Sequence, residues 1–271
     1  TIYGDAGDDT ITSSGTNDVV YAGEGNNIIT VTSDNGTYSS GSGNDSYTFQ
    51  SGAQGNLTVN SGDGSDSYTF QSGSSGSYVV DSGNGDNSFE LLSGASGSFD
   101  ITAGSGDDSF SIDSGVSEDI NINAGEGDNT ITSKVIIDSF QSGGGNDIVD
   151  VNGSKNNLDT GAGDDQITLT GFHGGGSEYW NLGVNAGDGD DTITLLGGSN
   201  QGHYYRDNNN AEQYEGGGSD VNGGRGNDTI ILGNAKDYGR AIGSEGNDII
   251  DASEANNVKQ IIINSFLIIF K

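Results

Sequence analysis

The sequence contains no cysteine, no proline and no methionine, and only 8 lysines and arginines among 271 residues. Without cysteine there is neither a disulfide framework nor a thiolate metal site. The lack of proline, with 49 glycines and no Gly-X-Y period, excludes collagen. So much glycine also argues against a helical fold, because each glycine inside a helix costs roughly 0.5–1 kcal/mol relative to alanine. No apolar run approaches the ~20 residues of a spanning helix. Basic residues are missing altogether before Lys134, so residues 1–133 carry 20 carboxylates and no positive side chain. Salt bridges cannot neutralise that half, and a phosphate backbone would be repelled by it, which excludes nucleic acid as a partner.

What is present is acidic and repetitive. Forty aspartates and glutamates give a net charge of −32 with 30% hydrophobic residues, close to the composition of disordered chains. Compaction of such a chain asks for a cation. A Gly-x-Gly-(Asn/Asp)-(Asp/Asn)-x-apolar unit recurs, as in Gly23-Glu24-Gly25-Asn26-Asn27, Gly41-Ser42-Gly43-Asn44-Asp45 and Gly62-Asp63-Gly64-Ser65-Asp66. With variant copies starting at Asp5 and Ser244 there are twelve, at steps of 18, 18, 21, 21, 21, 21, 18, 18, 26, 37 and 20 residues.

Each copy is followed by the period-2 alternation of a strand. The first inward position is apolar in every copy: Ile11, Ile29, Tyr47, Tyr68, Phe89, Phe110, Ile131, Val149, Ile167, Ile193, Ile230 and Ile250. The intervening residues, such as Thr12, Thr30 and Thr48, are mostly polar. In the longer turns a second arm follows a Ser/Gly bend, for example Leu57-Thr58-Val59 after Ser51-Gly52. The reading is an all-β, parallel β-solenoid of about 12–13 stacked turns with 18–21-residue repeats, rising about 4.8 Å per turn.

Stacking in register superimposes the acidic bends. Glycine lets the bend visit positive φ and turn its carbonyls inward, and six to eight oxygens at about 2.3–2.6 Å suit Ca2+ better than magnesium. The residues that close the motif, expected as metal ligands, are Asp9, Asn27, Asp45, Asp66, Asn87, Asp108, Asn129, Asp147, Asp165, Asp191, Asp228 and Asp248. Eleven divalent ions between twelve motifs would bring the charge from −32 to −10.

These residues resemble the repeats-in-toxin (RTX) calcium-binding nonapeptide Gly-Gly-x-Gly-x-Asp-x-apolar-x. Gly223-Gly224-Arg225-Gly226-Asn227-Asp228-Thr229-Ile230 matches most closely, with Ala186–Ile193 and Ser40–Tyr47 carrying alanine or serine at the first place. The resemblance covers roughly residues 4–251. It implies a β-roll, type I secretion and folding triggered by extracellular calcium. Family members carry an acidic bend on both edges of the roll. Here the 21-residue turns keep it on one, which predicts one main row of ions.

On this reading residues 1–255 form the β-roll, with longer loops at 171–186 and 197–222, and the apolar stretch 256–271 is a C-terminal cap or tail. The opening Thr1-Ile2-Tyr3-Gly4, without a signal peptide or initiator methionine, reads as part of a longer protein. The loops hold Tyr179, Trp180, His173, His203, Tyr204, Tyr205, Arg206 and Tyr214. They either cover a side of the roll, bind a cell-surface glycan by stacking, or serve a lyase- or epimerase-like chemistry on polysaccharide. Outward Thr-x-Thr pairs such as Thr10/Thr12 raise a lesser alternative, an ice-binding solenoid. The expected function is a non-enzymatic, calcium-binding structural module of a large extracellular protein, secreted or at the cell surface: a surface layer, sheath, filament or adhesin segment. Its partners would be calcium and, through self-association, copies of itself.

Overall fold

A computed structural model describes residues 1–116, 119–154, 158–171, 173–174, 183–196, 199–200, 203–206, 212–215, 220–233, 238–255, 258–263 and 268–269. Among these residues all regular structure is strand. The chain forms two compact units, Thr1–Gly143 and Gly144–Lys271.

In Thr1–Gly143 the strand after each acidic bend joins one parallel sheet and the returning arm joins another. The first sheet stacks Thr10–Ser13, Ile28–Val31, Ser46–Phe49, Ser67–Phe70, Ser88–Leu91, Ser109–Ile112 and Thr130–Ile137. The return sheet runs from Ile2–Tyr3 to Ser139–Ser142 and includes Gln54–Asn60, Ser75–Asp81 and Ser96–Thr102. Register is in phase with the repeat: Tyr47 pairs with Tyr68, Tyr68 with Phe89, and Phe89 with Phe110. Equivalent side chains therefore lie one strand spacing apart, which for aromatic rings is a stacking distance. Ring centroids of Tyr47–Tyr68, Tyr68–Phe89 and Phe89–Phe110 lie 5.4, 4.5 and 4.9 Å apart, with interplanar angles of 8° or less. The return sheet closes this core edge-on. Tyr78 meets Phe49 at 5.4 Å and Phe70 at 4.9 Å, and stacks on Phe99 at 5.1 Å.

Gly144–Lys271 repeats the plan with aliphatic residues. Its strands Ile148–Ser154, Gln166–Leu169, Thr192–Leu195, Thr229–Leu232 and Ile249–Asp251 bury Val149, Ile167, Ile193, Ile230 and Ile250. Its return strands are Leu158–Asp159, Gly183–Asp188, Asp220–Arg225, Tyr238–Glu245 and Val258–Ile263. Both units are parallel β-solenoids, and all twelve inward positions are buried.

The breaks in repeat spacing are excursions from the sheets. One is an antiparallel pair of His203–Arg206 with Glu212–Glu215, and another a short pairing of His173–Gly174 with Ser199–Asn200. Gly183–Asp188, at the end of the expected loop 171–186, is a return strand. Tyr179 and Trp180 lie outside the described residues, as do the side chains of His173, His203–Arg206 and Tyr214. In the apolar C-terminus the backbones of Val258–Ile263 and Ile268–Ile269 add one strand to each sheet of their unit.

Candidate metal centre

The acidic bends are tight because successive copies nearly touch. Gly64 has φ +150°, and a Cβ placed there would lie 1.9 Å from the carbonyl oxygen of Gly43 in the preceding copy. Neither the backbone conformation nor the space admits another residue.

All twelve motif-closing residues occupy the same place in their bends. Eleven are buried, and Asp9 in the first copy is half-buried. Their side chains form a ladder of one polarity, in which Oδ1 accepts the backbone N–H of the closing residue one copy earlier. In Thr1–Gly143, Asp45 accepts from Asn27 and Asp66 from Asp45, both at 2.7 Å, and Asp108 from Asn87 at 2.8 Å. In Gly144–Lys271, Asp165 accepts from Asp147 at 2.8 Å, Asp191 from Asp165 at 2.9 Å, and Asp228 from Asp191 and Asp248 from Asp228 at 3.1 Å each.

The second carboxylate oxygen has no such bond. Oδ2 of Asp9, Asp45, Asp66, Asp108, Asp165, Asp191, Asp228 and Asp248 is buried without a hydrogen-bond partner. An orphaned buried carboxylate oxygen costs several kcal/mol unless a proton or a cation meets it. Burial accordingly pushes Asp66, Asp108, Asp165 and Asp228 up to about 6 and also raises Asp45, an effect partly offset at Asp45 and Asp66 by the nearby hydroxyls of Ser40 and Ser61. Asp191 reaches about 7, because the charges of Asp165 and Asp228 add to its burial.

The surroundings are crowded and oxygen-rich. Where glycine stands five residues before the closing aspartate, a Cβ would meet Oδ2 at 2.5 Å at Gly4, 2.2 Å at Gly223 and 2.3 Å at Gly243. Among the described residues no three His, Cys, Asp or Glu side chains gather as a metal cluster. A cation here would be held by one carboxylate per bend together with backbone carbonyls. That donor set is hard, oxygen-only and assembled from neighbouring turns, so it suits calcium and not zinc or another thiophilic metal.

A second row escaped the sequence reading. The residue before each closing position also bonds across copies, with the opposite polarity: Oδ1 of Asp8, Asn26 and Asn44 accepts the backbone N–H of Asn26, Asn44 and Ser65 in the next copy. The same holds for Asp86 with Asp107, Asp164 with Asp190 and Asn227 with Asn247. This outer row is exposed, so it clamps the bends from the solvent side. Its signal was the preference for Asn or Asp at the fourth motif place, which the search for ligands absorbed into the motif without a separate role.

A family model, the RTX calcium-binding nonapeptide repeat (4 copies), matches residues 1–29, 13–47, 137–167, 215–238 and 240–258. With the parallel solenoid and its stacked Gly-x-Gly-Asn-Asp bends, this decides the matter. The chain fits an RTX β-roll region. The matched spans leave out 48–136, where the turns lengthen to 21 residues and the core becomes aromatic, yet the RTX bend and its hydrogen-bond ladder continue there. No curated protein and no solved structure matches the chain. The RTX repeat is a calcium-binding motif, and it makes this chain a calcium-binding structural module.

Proposed function

We propose that the module is a segment of a large extracellular protein, exported unfolded through a type I route and set by calcium outside the cell into a stiff roll. Residence in a surface layer, sheath, filament or adhesin stalk fits this reading. The ligands are the carboxylates of Asp9, Asp45, Asp66, Asp108, Asp147, Asp165, Asp191, Asp228 and Asp248, with bend carbonyls completing each shell. The observation that carries it is the row of buried carboxylate oxygens without hydrogen-bond partners, repeated copy after copy at one edge of the sheets. Buried bare carboxylates are a poor solution for a protein that works without a cation, whereas a calcium ion at each carboxylate-closed bend meets the bare oxygen with positive charge. In the calcium-poor cytoplasm the same repulsion would keep the chain open and exportable.

Small-angle scattering of the chain in chelator and in millimolar calcium tests this. Collapse from an expanded to a compact radius of gyration on adding calcium supports the reading, and a compact chain in chelator at neutral pH rejects it.

A further inference from the structure

Asn27, Asn87 and Asn129 close their bends with an amide, and the hydrogen bonds fix which way each amide points. Oδ1 accepts the backbone N–H of the preceding copy at 3.0 Å in all three cases, from Asp9, Asp66 and Asp108 respectively. Nδ2 is therefore left where the aspartates hold their orphaned Oδ2. From that place Nδ2 of Asn27 donates to the carbonyls of Gly23 at 3.1 Å and Gly25 at 3.0 Å. Nδ2 of Asn87 donates to Gly85 at 2.8 Å, and that of Asn129 to Gly127 at 2.9 Å and to Gly125 at 3.4 Å.

The comparison identifies the oxygen cage. In the asparagine bends the carbonyl two residues before the closing position, and at Asn27 and Asn129 also the one four residues before, accepts from its outer nitrogen. A carboxylate oxygen in that place has no proton to offer these carbonyls, and it is buried without a partner. An NH2 group carries the partial positive charge and the two donors that the cage otherwise needs from a cation. The three asparagines also share a unit: all lie in Thr1–Gly143, whereas every closing position in Gly144–Lys271 is aspartate. The unit with the amides is also the one with the stacked aromatic core.

We propose, resting on the calcium reading above, that Asn27, Asn87 and Asn129 are calcium-free bends closed by their own amides, so that Thr1–Gly143 orders at a lower calcium concentration than Gly144–Lys271. The chain then has two calcium thresholds written by one atom per repeat.

The test uses the full chain and calcium alone. Peptide-resolved hydrogen exchange along a calcium series should show amides of residues 1–143 protected at a several-fold lower calcium concentration than those of 144–271. Equilibrium dialysis counts bound ions. Asn27→Asp with Asn87→Asp should raise the count by about two, one per restored carboxylate, and move the first unit's midpoint towards that of the second. The converse, Asp66→Asn, should lower the count by about one and stabilise the first unit in chelator, which keeps the idea testable if the double variant folds poorly. An ion count unchanged by both variants, or coincident midpoints for the two units in the unsubstituted chain, would overturn the proposal. Exchange independent of calcium throughout would instead remove the calcium reading on which it rests.

Discussion

At the residue scale, one atom per repeat decides the chemistry. The closing side chain spends Oδ1 on the backbone ladder and leaves its outer atom in a cage of carbonyls, so aspartate there creates a demand that asparagine meets by itself. The demand has a sign that pH can test. In chelator, Asp66, Asp108, Asp165 and Asp228 protonate at about 6 and Asp191 at about 7 in the fold, against an ordinary value of 3.8. Folded values above the unfolded ones mean that protons favour the fold: the benefit is complete near pH 4 and is lost as pH rises through 6 to 7. Far-UV circular dichroism in chelator should therefore show β-structure growing from pH 7.5 towards pH 5, and calcium uptake at pH 6 should release protons. A calcium-free signal that does not change over this range would contradict the burial of these carboxylates. Backbone room gives a second expectation. Gly64→Ala puts a methyl 1.9 Å from the Gly43 carbonyl at φ +150°, and should cost on the order of 2–4 kcal/mol in thermal or denaturant unfolding with calcium present.

At the element scale, the inward alternation was fully legible. Every position assigned to the core from period-2 patterning, from Ile11 to Ile250, is buried, and the 18- and 21-residue steps gave the in-phase register. The bends were legible as well, because glycine spacing and acid content repeat together. Two things were not. The opposite polarities of the inner and outer ladders depend on which way each side chain leaves the bend, and residue type does not encode that. Nor did the motif show that an asparagine amide could close its bend unaided. Both were read as ligands, and only the hydrogen bonds to Gly23, Gly25, Gly85 and Gly127 separate them. The 26- and 37-residue steps showed where the period breaks, but a broken period says where a repeat stops and not what replaces it. The aromatic stack makes its own prediction. Phe89 is fully buried between Tyr68 and Phe110, at 4.5 and 4.9 Å. Phe89→Ala should thus lose about 3–5 kcal/mol of stability at saturating calcium without changing the number of ions bound. A parallel loss of calcium would mean that the core and the bends are not separable.

For the whole molecule, the central quantity is charge. The chain carries −32 and, among the described residues, its ion pairs are exposed: Lys134–Asp113, Arg225–Asp188, Arg225–Glu245 and Arg240–Asp220. Such pairs contribute roughly 0–1 kcal/mol each and cannot hold together rows of buried carboxylates. Hydrophobic burial between the sheets supplies the shape of each turn, but the bends need a counter-charge for turns to stack at neutral pH. The most direct measurement is far-UV circular dichroism at pH 7.5 in chelator and then with calcium added. A disordered spectrum that converts to β-structure on calcium addition, with magnesium far less effective at equal concentration, is the predicted result. The same β spectrum in chelator and in calcium would contradict the account.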